Sequence, residues 1–313
     1  MGRTNVSAIV DSFLPLVALI GLGWLCRRRN VIGLNAAHEL TLFVVWLALP
    51  SLLFDAITEV KLEELWQPEF VLSYVAGLVV PFVFILWWLP KSMSFADRCL
   101  DAFSAMFPNA GFMGVSLSLL LFGKEALLPA TIAIVMTAVV LFSIGIVLLE
   151  FGNGTGLSPM ASTRKAALAL ARNPLVLATV AGLAWSAGGL ATPQGVHRIL
   201  TLLAGAAGPC ALVSIGAFLA VPSEAGQAVP ITSIVIAKLV LQPAICAVFA
   251  LFVFDMPRVW SVTAVLTSAL PTGTGPVMLA QLYGGNAARA SRIMFVTTAL
   301  SLITISAFIV ALR

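Results

Sequence analysis

The chain has 313 residues, 60% of them hydrophobic and only 10% charged, with a formal net charge of +4 and a mean hydropathy of +1.07. A soluble domain carries about 25% charged residues, so this composition excludes an ordinary soluble protein and points to an all-α integral membrane protein. Long apolar runs without alternation exclude a β-barrel, and a positive balance carried by short loops does not argue for a nucleic-acid partner.

Ten apolar stretches of about 18 to 27 residues are each able to cross about 30 Å of hydrocarbon as a helix. The first, 8–26, ends in Arg27, Arg28 and Arg29 and reads as a retained helix rather than a cleaved signal. The second, 36–57, is kinked at Pro50, with Ser51 beside the kink and Asp55 near the outer end. The third covers 68–89, and the fourth, 99–122, is interrupted by Pro108-Asn109-Ala110-Gly111-Phe112-Met113-Gly114. After the fifth, 126–150, residues 151–172 carry Gly152, Gly154, Gly156, Ser158 and Pro159 followed by basic residues, and read as a linker. Then come 173–190, 196–220, 229–254 with Lys238 some ten residues inside it, 257–284, and 287–312. The ninth stretch is interrupted in its turn by Pro271-Thr272-Gly273-Thr274-Gly275-Pro276.

Loops after odd-numbered spans hold Arg27, Arg28, Arg29, Lys91, Arg98, Arg164, Lys165, Arg172, Arg289 and Arg292. The opposite side holds Arg3, Lys61, Lys124, Arg198, Arg258 and Arg313. The positive-inside rule makes the first side cytoplasmic and places both termini outside. At a separation of 159, Pro15 matches Pro174, Gly23 matches Gly182, His38 matches His197 and Pro50 matches Pro209; at 162, Pro81 matches Pro243, Gly111 matches Gly273, Val115 matches Val277 and Gly123 matches Gly285. Such matching predicts an internal repeat. Five spans per half force the copies into opposite orientations: a first repeat over 1–150 and an inverted second over 173–313, with broken spans 4 and 9 in equivalent places.

Irregular backbone at bilayer depth is tolerated only where it is buried in protein or lines a cavity, so a matched pair of breaks marks a binding site. Each break starts a new half-helix whose first amides are unpaired and whose dipole is positive, an arrangement that favours an anion such as a carboxylate. Asn109, Thr272 and Thr274 would add side-chain hydrogen bonds, while Gly111, Gly114, Gly273 and Gly275, with Ala110 in the same turn, would let a ligand approach the backbone. Against this stands the general abundance of Pro and Gly in membrane helices. An intramembrane lysine normally faces a cavity or a partner, so Lys238 is a candidate counter-charge, proton-coupled group or fixed cation replacing a sodium ion, with snorkelling as the bland alternative. Asp55 is the nearest thing to a proton-carrying carboxylate, or else a solvated edge charge, and Ser51 would face the substrate from the neighbouring domain. Glu39, Asp101 and Glu150 read as solvated span ends, and His38 and His197 as neither ligands nor catalysts. Cys26, Cys99, Cys210 and Cys246 read as small buried hydrophobes rather than a metal or redox site. No enzyme motif is present, and no cofactor is expected.

Through Asn109 to Gly114, Leu270-Pro271-Thr272, the run Leu279-Ala280-Gln281-Leu282-Tyr283-Gly284 and the Pro50 kink, the chain resembles the auxin efflux carrier family. That family includes bacterial malonate-transporter-like members and, more distantly, plant PIN-FORMED auxin exporters. The resemblance implies ten helices in two inverted five-helix repeats with helices 4 and 9 crossed. It implies a scaffold of about 8–57 plus 173–220 and a transport domain of about 68–150 plus 229–312, moving in an elevator-like fashion, within a homodimer. The implied protein is a secondary transporter of small organic anions, malonate-like or other carboxylates, in the cytoplasmic membrane of a bacterium, with a coupling proton or sodium ion open. An auxin-like aromatic carboxylate exporter and an anion channel or uniporter remain as alternatives. The plant members' long insert between spans 5 and 6 is absent, and span 9 has Thr and Gly where plant carriers place an asparagine.

Overall fold

A computed structural model of the chain describes residues 14–15, 18–58, 66–153, 160, 164, 167–168, 171–189, 191–220 and 230–311. Most of the expected linker, and the basic residues Arg3, Lys61, Lys165 and Arg313, lie outside the described residues. Among those described, the regular elements are helices, and the extended pairing is a single antiparallel bridge between Pro108 and Thr272. In chain order the helices are α1 (residues 18–28), α2 (34–58), α3 (Pro68–Trp88), α4 (Phe95–Met106), α5 (110–122), α6 (127–153), α7 (Pro174–Ala187), α8 (Gln194–Leu219), α9 (232–253), α10 (Arg258–Ala269), α11 (Gly275–Leu282) and α12 (Ala287–Ala311).

Six of these, α2, α3, α6, α8, α9 and α12, are long and apolar enough to cross a membrane, the shortest being the 21 residues of α3. At 1.5 Å per residue that helix is about 32 Å long, the thickness of a hydrocarbon core. The other expected spans take different forms: 99–122 is divided into α4 and α5, 257–284 into α10 and α11, 173–190 holds the 14-residue α7, and 8–26 is described in part.

Local chemistry sets the helix ends. Pro68 opens α3, where a missing N–H costs nothing, and Pro90 follows its end. Ser94 caps α4 by accepting from the Asp97 amide at 3.0 Å, and Asn173 caps α7 by accepting from the Leu175 amide at 2.9 Å. In α2 and α9, π-helical turns at Val44–Ala48 and Ala237–Leu241 precede Pro50 and Pro243, which disturb the regular ladder.

Packing joins α2 to α7 and α8, while α3 meets α4 and α9, α9 meets α10, α6 meets α4 and α10, and α11 meets α12. Glycines permit the closest approaches. A side chain at Gly23 would collide with the Val213 carbonyl of α8, one at Gly216 with the Ile20 carbonyl of α1, and one at Gly182 would crowd Ile57 and the Phe54 carbonyl of α2. Ser214 of α8 donates to the Ala37 carbonyl at 2.8 Å, with the Thr41 hydroxyl 2.8 Å away.

The structure revises two readings of charged span ends. Asp101 is buried rather than solvated, because Arg289 of α12 reaches it with Nη2 at 2.8 Å and Nε at 2.9 Å from Oδ2. A buried carboxylate needs such a partner. Asp55 on α2 holds His197 of α8 at 2.7 Å, a contact between residues too far apart in sequence for local spacing to suggest it.

Candidate functional site

Two prolines end two helices inside the protein. The residue before a proline is driven out of the helical region, and both Phe107 before Pro108 (ψ 101°) and Leu270 before Pro271 (ψ 153°) have left it. Helices α4 and α10 therefore stop at Met106 and Ala269.

The freed backbone groups find each other. Asn109 donates its amide to the Pro271 carbonyl at 2.9 Å, and Gly273 donates to the Phe107 carbonyl at 2.9 Å, closing the antiparallel bridge. A Cβ at Gly273 would lie 2.9 Å from the Pro108 carbonyl oxygen, and one at Gly275 would overlap the Phe107 ring. Beyond the bridge each helix restarts: α5 with a π-helical turn, Ala110–Gly114, and α11 at Gly275. The first bonds of the new helices run from Met113 to the Asn109 carbonyl at 3.2 Å and from Met278 to the Thr274 carbonyl at 3.1 Å. The amides ahead of them lack intrahelical partners, as at any helix start.

A small cleft, with about 50 Å³ of free volume, opens beside the bridge. Phe107, Pro108, Asn109 and Gly111 line it from the first break, and Gly273, Thr274, Gly275 and Met278 from the second. Ile134, Thr137, Ala138 and Phe142 of α6 close one wall; Leu49, Leu52 and Leu53 of α2 and Leu175 of α7 form another. Among the described residues no charged side chain lines it. Asn109 is 2% exposed, and its side-chain Nδ2 has no hydrogen-bond partner among the described residues. Leaving a buried donor unpaired costs about 1–3 kcal/mol, which a ligand oxygen would recover.

The sequence-derived candidates fall into two groups. Asn109, Gly111, Gly273, Thr274 and Gly275 line the cleft, and Gly111 has open space where a side chain would project. Ala110 is buried in the turn, and a Cβ at Gly114 would touch Thr267 of α10 and Leu270 just beyond its end. Thr272 donates its hydroxyl to the Ser104 carbonyl of α4 at 2.8 Å and its amide to the Thr297 hydroxyl of α12 at 3.2 Å. Ser51 is buried and donates back to the Leu47 carbonyl at 2.8 Å. Asp55 joins His197, and Lys238 is fully buried outside the cleft lining.

Sequence reading missed the apolar walls, whose leucines are indistinguishable from lipid-facing ones without the packing. It also missed Thr137, which donates to the Ala133 carbonyl at 2.7 Å and has the Tyr74 hydroxyl 3.1 Å away. A hydroxyl deep in the stretch 126–150 was the available signal.

Residues 8–309 match a family described as membrane transport protein. The chain is 30% identical, over 98% of its length and 97% of the relative's, to a Rhizobium meliloti (strain 1021) protein named "Putative malonate transporter". It is 25% identical, over 96% of its length and 98% of the relative's, to an "Uncharacterized transporter" of Methanothermobacter thermautotrophicus.

Proposed function

The chain belongs to the membrane transport protein family, the auxin efflux carriers, and on that premise we propose that it is a secondary active transporter of small organic anions. Malonate or another carboxylate would bind at the paired breaks and cross by alternating access. The family is one of transport proteins rather than enzymes, and the protein is a multi-pass membrane protein.

One observation carries the substrate class: Asn109 lines the cleft beside two helix starts, and its buried side-chain Nδ2 has no hydrogen-bond partner among the described residues. A carboxylate oxygen would satisfy that donor, and charge-assisted hydrogen bonds are about twice as strong as neutral ones. Unpaired amides and positive dipole ends at α5 and α11 favour the same charge.

The proposed architecture is two inverted five-helix repeats with the broken helices crossed at the site. It is supported by a packing equivalence: Gly23 against Val213 and Gly182 against Phe54 are the same contact shifted by 159 residues in both members, with the partners exchanged between halves. An antiparallel bridge between the breaks has the local two-fold such a repeat requires. In this reading α1, α2, α7 and α8 form a scaffold. The remaining helices form a transport domain that slides past it like an elevator in a homodimer. Both termini lie outside the cytoplasmic membrane of a bacterium, and Asp55 and Lys238 are the residues considered for coupling or counter-charge.

The test is uptake of labelled malonate into proteoliposomes by the wild type and Asn109→Ala. Lowered uptake with unchanged reconstitution is expected; undiminished uptake would sink the site assignment. A second reading, a longer carboxylate with an apolar or aromatic body, is favoured by the wall of Leu49, Leu52, Leu53 and Leu175. Competition by aromatic monocarboxylates stronger than by malonate would establish it. Ion flux without counterflow would replace either carrier with a channel.

A further inference from the structure

Helices α4 and α10 end within the protein, and each leaves its last carbonyls without intrahelical partners and a negative dipole end of roughly half an elementary charge. One helix answers both. Lys238 of α9 donates from Nζ to the Ser268 carbonyl, one residue from the end of α10, at 2.9 Å. It also donates to Oε1 of Gln242, one turn further along α9. The Gln242 amide then donates from Nε2 to the carbonyl of Met106, the last residue of α4, at 3.0 Å. Both side chains are 0% exposed, which excludes snorkelling, and neither lines the cleft, which leaves no direct contact with a ligand there. Their counterparts at a separation of 162 are Ala76 and Val80, so the arrangement exists in one half only.

We propose that Lys238 is a tethered cation that joins the carboxyl ends of α4 and α10, occupying the place that a monovalent ion from solution would otherwise fill, with Gln242 relaying it to α4. In carriers with discontinuous helices, unwound carbonyls and half-helix C-termini are the groups that coordinate sodium. Here the Ser268 carbonyl and the Gln242 Oε1 already receive the Lys238 Nζ, a donor supplied by the chain itself. A site filled in this way draws no ion from the medium, so the paired breaks hold together without sodium. The transport consequence, independence of a sodium gradient, rests on the carrier reading above. The test below uses no substrate, so its failure is distinct from a failure of that reading.

Thermal unfolding of the purified protein is measured in choline chloride and, at matched ionic strength, in sodium, lithium, potassium or methylammonium chloride. The wild-type midpoint is expected to be indifferent to the salt. Lys238→Ala is expected to melt lower in choline chloride and to regain several degrees, saturably, with sodium or methylammonium, which enter the vacated space. Lys238→Met, which fills that space with an apolar chain, is expected to show no recovery. Lys238→Ser, which also vacates the space, replaces the alanine variant if that one does not fold, under the same criterion. A wild type stabilised by sodium, or a vacated site that no small cation stabilises, overturns the proposal.

Discussion

At the first break Asn109 keeps its side-chain amide unpaired inside the protein, whereas at the second Thr272 commits both of its donors, the hydroxyl to Ser104 and the amide to Thr297. The two breaks arise from the same Pro and Gly chemistry and carry equivalent backbone bonds across one bridge. Their side chains differ in where the hydrogen bonds go. Thr272, with both donors used, holds other elements in place, and Asn109, with a side-chain donor left over, is available to a ligand.

This contrast predicts that substitutions at the first break are read in affinity and those at the second in stability. Asn109→Ala is expected to have the largest effect, removing a hydrogen bond to a charged ligand worth about 1.5–3 kcal/mol, or roughly ten- to a hundredfold in Kd. Binding calorimetry with a transported carboxylate checks it, and a weakening under twofold would erase the distinction. Gly273→Ala forces a methyl against the Pro108 carbonyl and is expected to cost about 1–3 kcal/mol of stability by overpacking. A lowered melting midpoint in the absence of ligand is the readout. Thr272→Val leaves the Ser104 carbonyl without that donor and is expected to cost about 1 kcal/mol, again in the midpoint, with ligand affinity little changed. Gly111→Ala comes last: its side chain would enter open space, so stability should move by under about 0.5 kcal/mol. Any change should instead appear as selectivity against bulkier carboxylates in competition uptake.

Much of the frame was legible because it follows from local chemistry. Pro108 and Pro271 dictate an extended residue before them, so the two breaks were visible in the sequence at the right positions. Six long apolar helices were equally plain from length and hydropathy. The partners of polar side chains were not legible, because they lie on distant elements. Nothing near Asp101 announces Arg289, and nothing near Asp55 announces His197. Lys238 stood out, yet its orientation depended on the ends of α4 and α10. The signal that went unused was Gln242, the single amide side chain in 229–254 and one helical turn from Lys238. Thr272 and Ser51 show the opposite limit: a hydroxyl beside a break or kink reads as a ligand group, while the structure gives both to carbonyl oxygens.

The antiparallel bridge also bears on how a clamp at this site can open. Prising the two breaks apart would sever two directional backbone bonds and expose their donors and acceptors inside an apolar interior. The opposite jaw, Leu49, Leu52, Leu53 and Leu175, meets the cleft through hydrocarbon alone, and dispersion contacts carry no fixed direction to be broken in a slide. On the proposed carrier reading, the lower-cost path to release would be displacement along that greasy seam, with the bridged pair travelling as one rigid jaw.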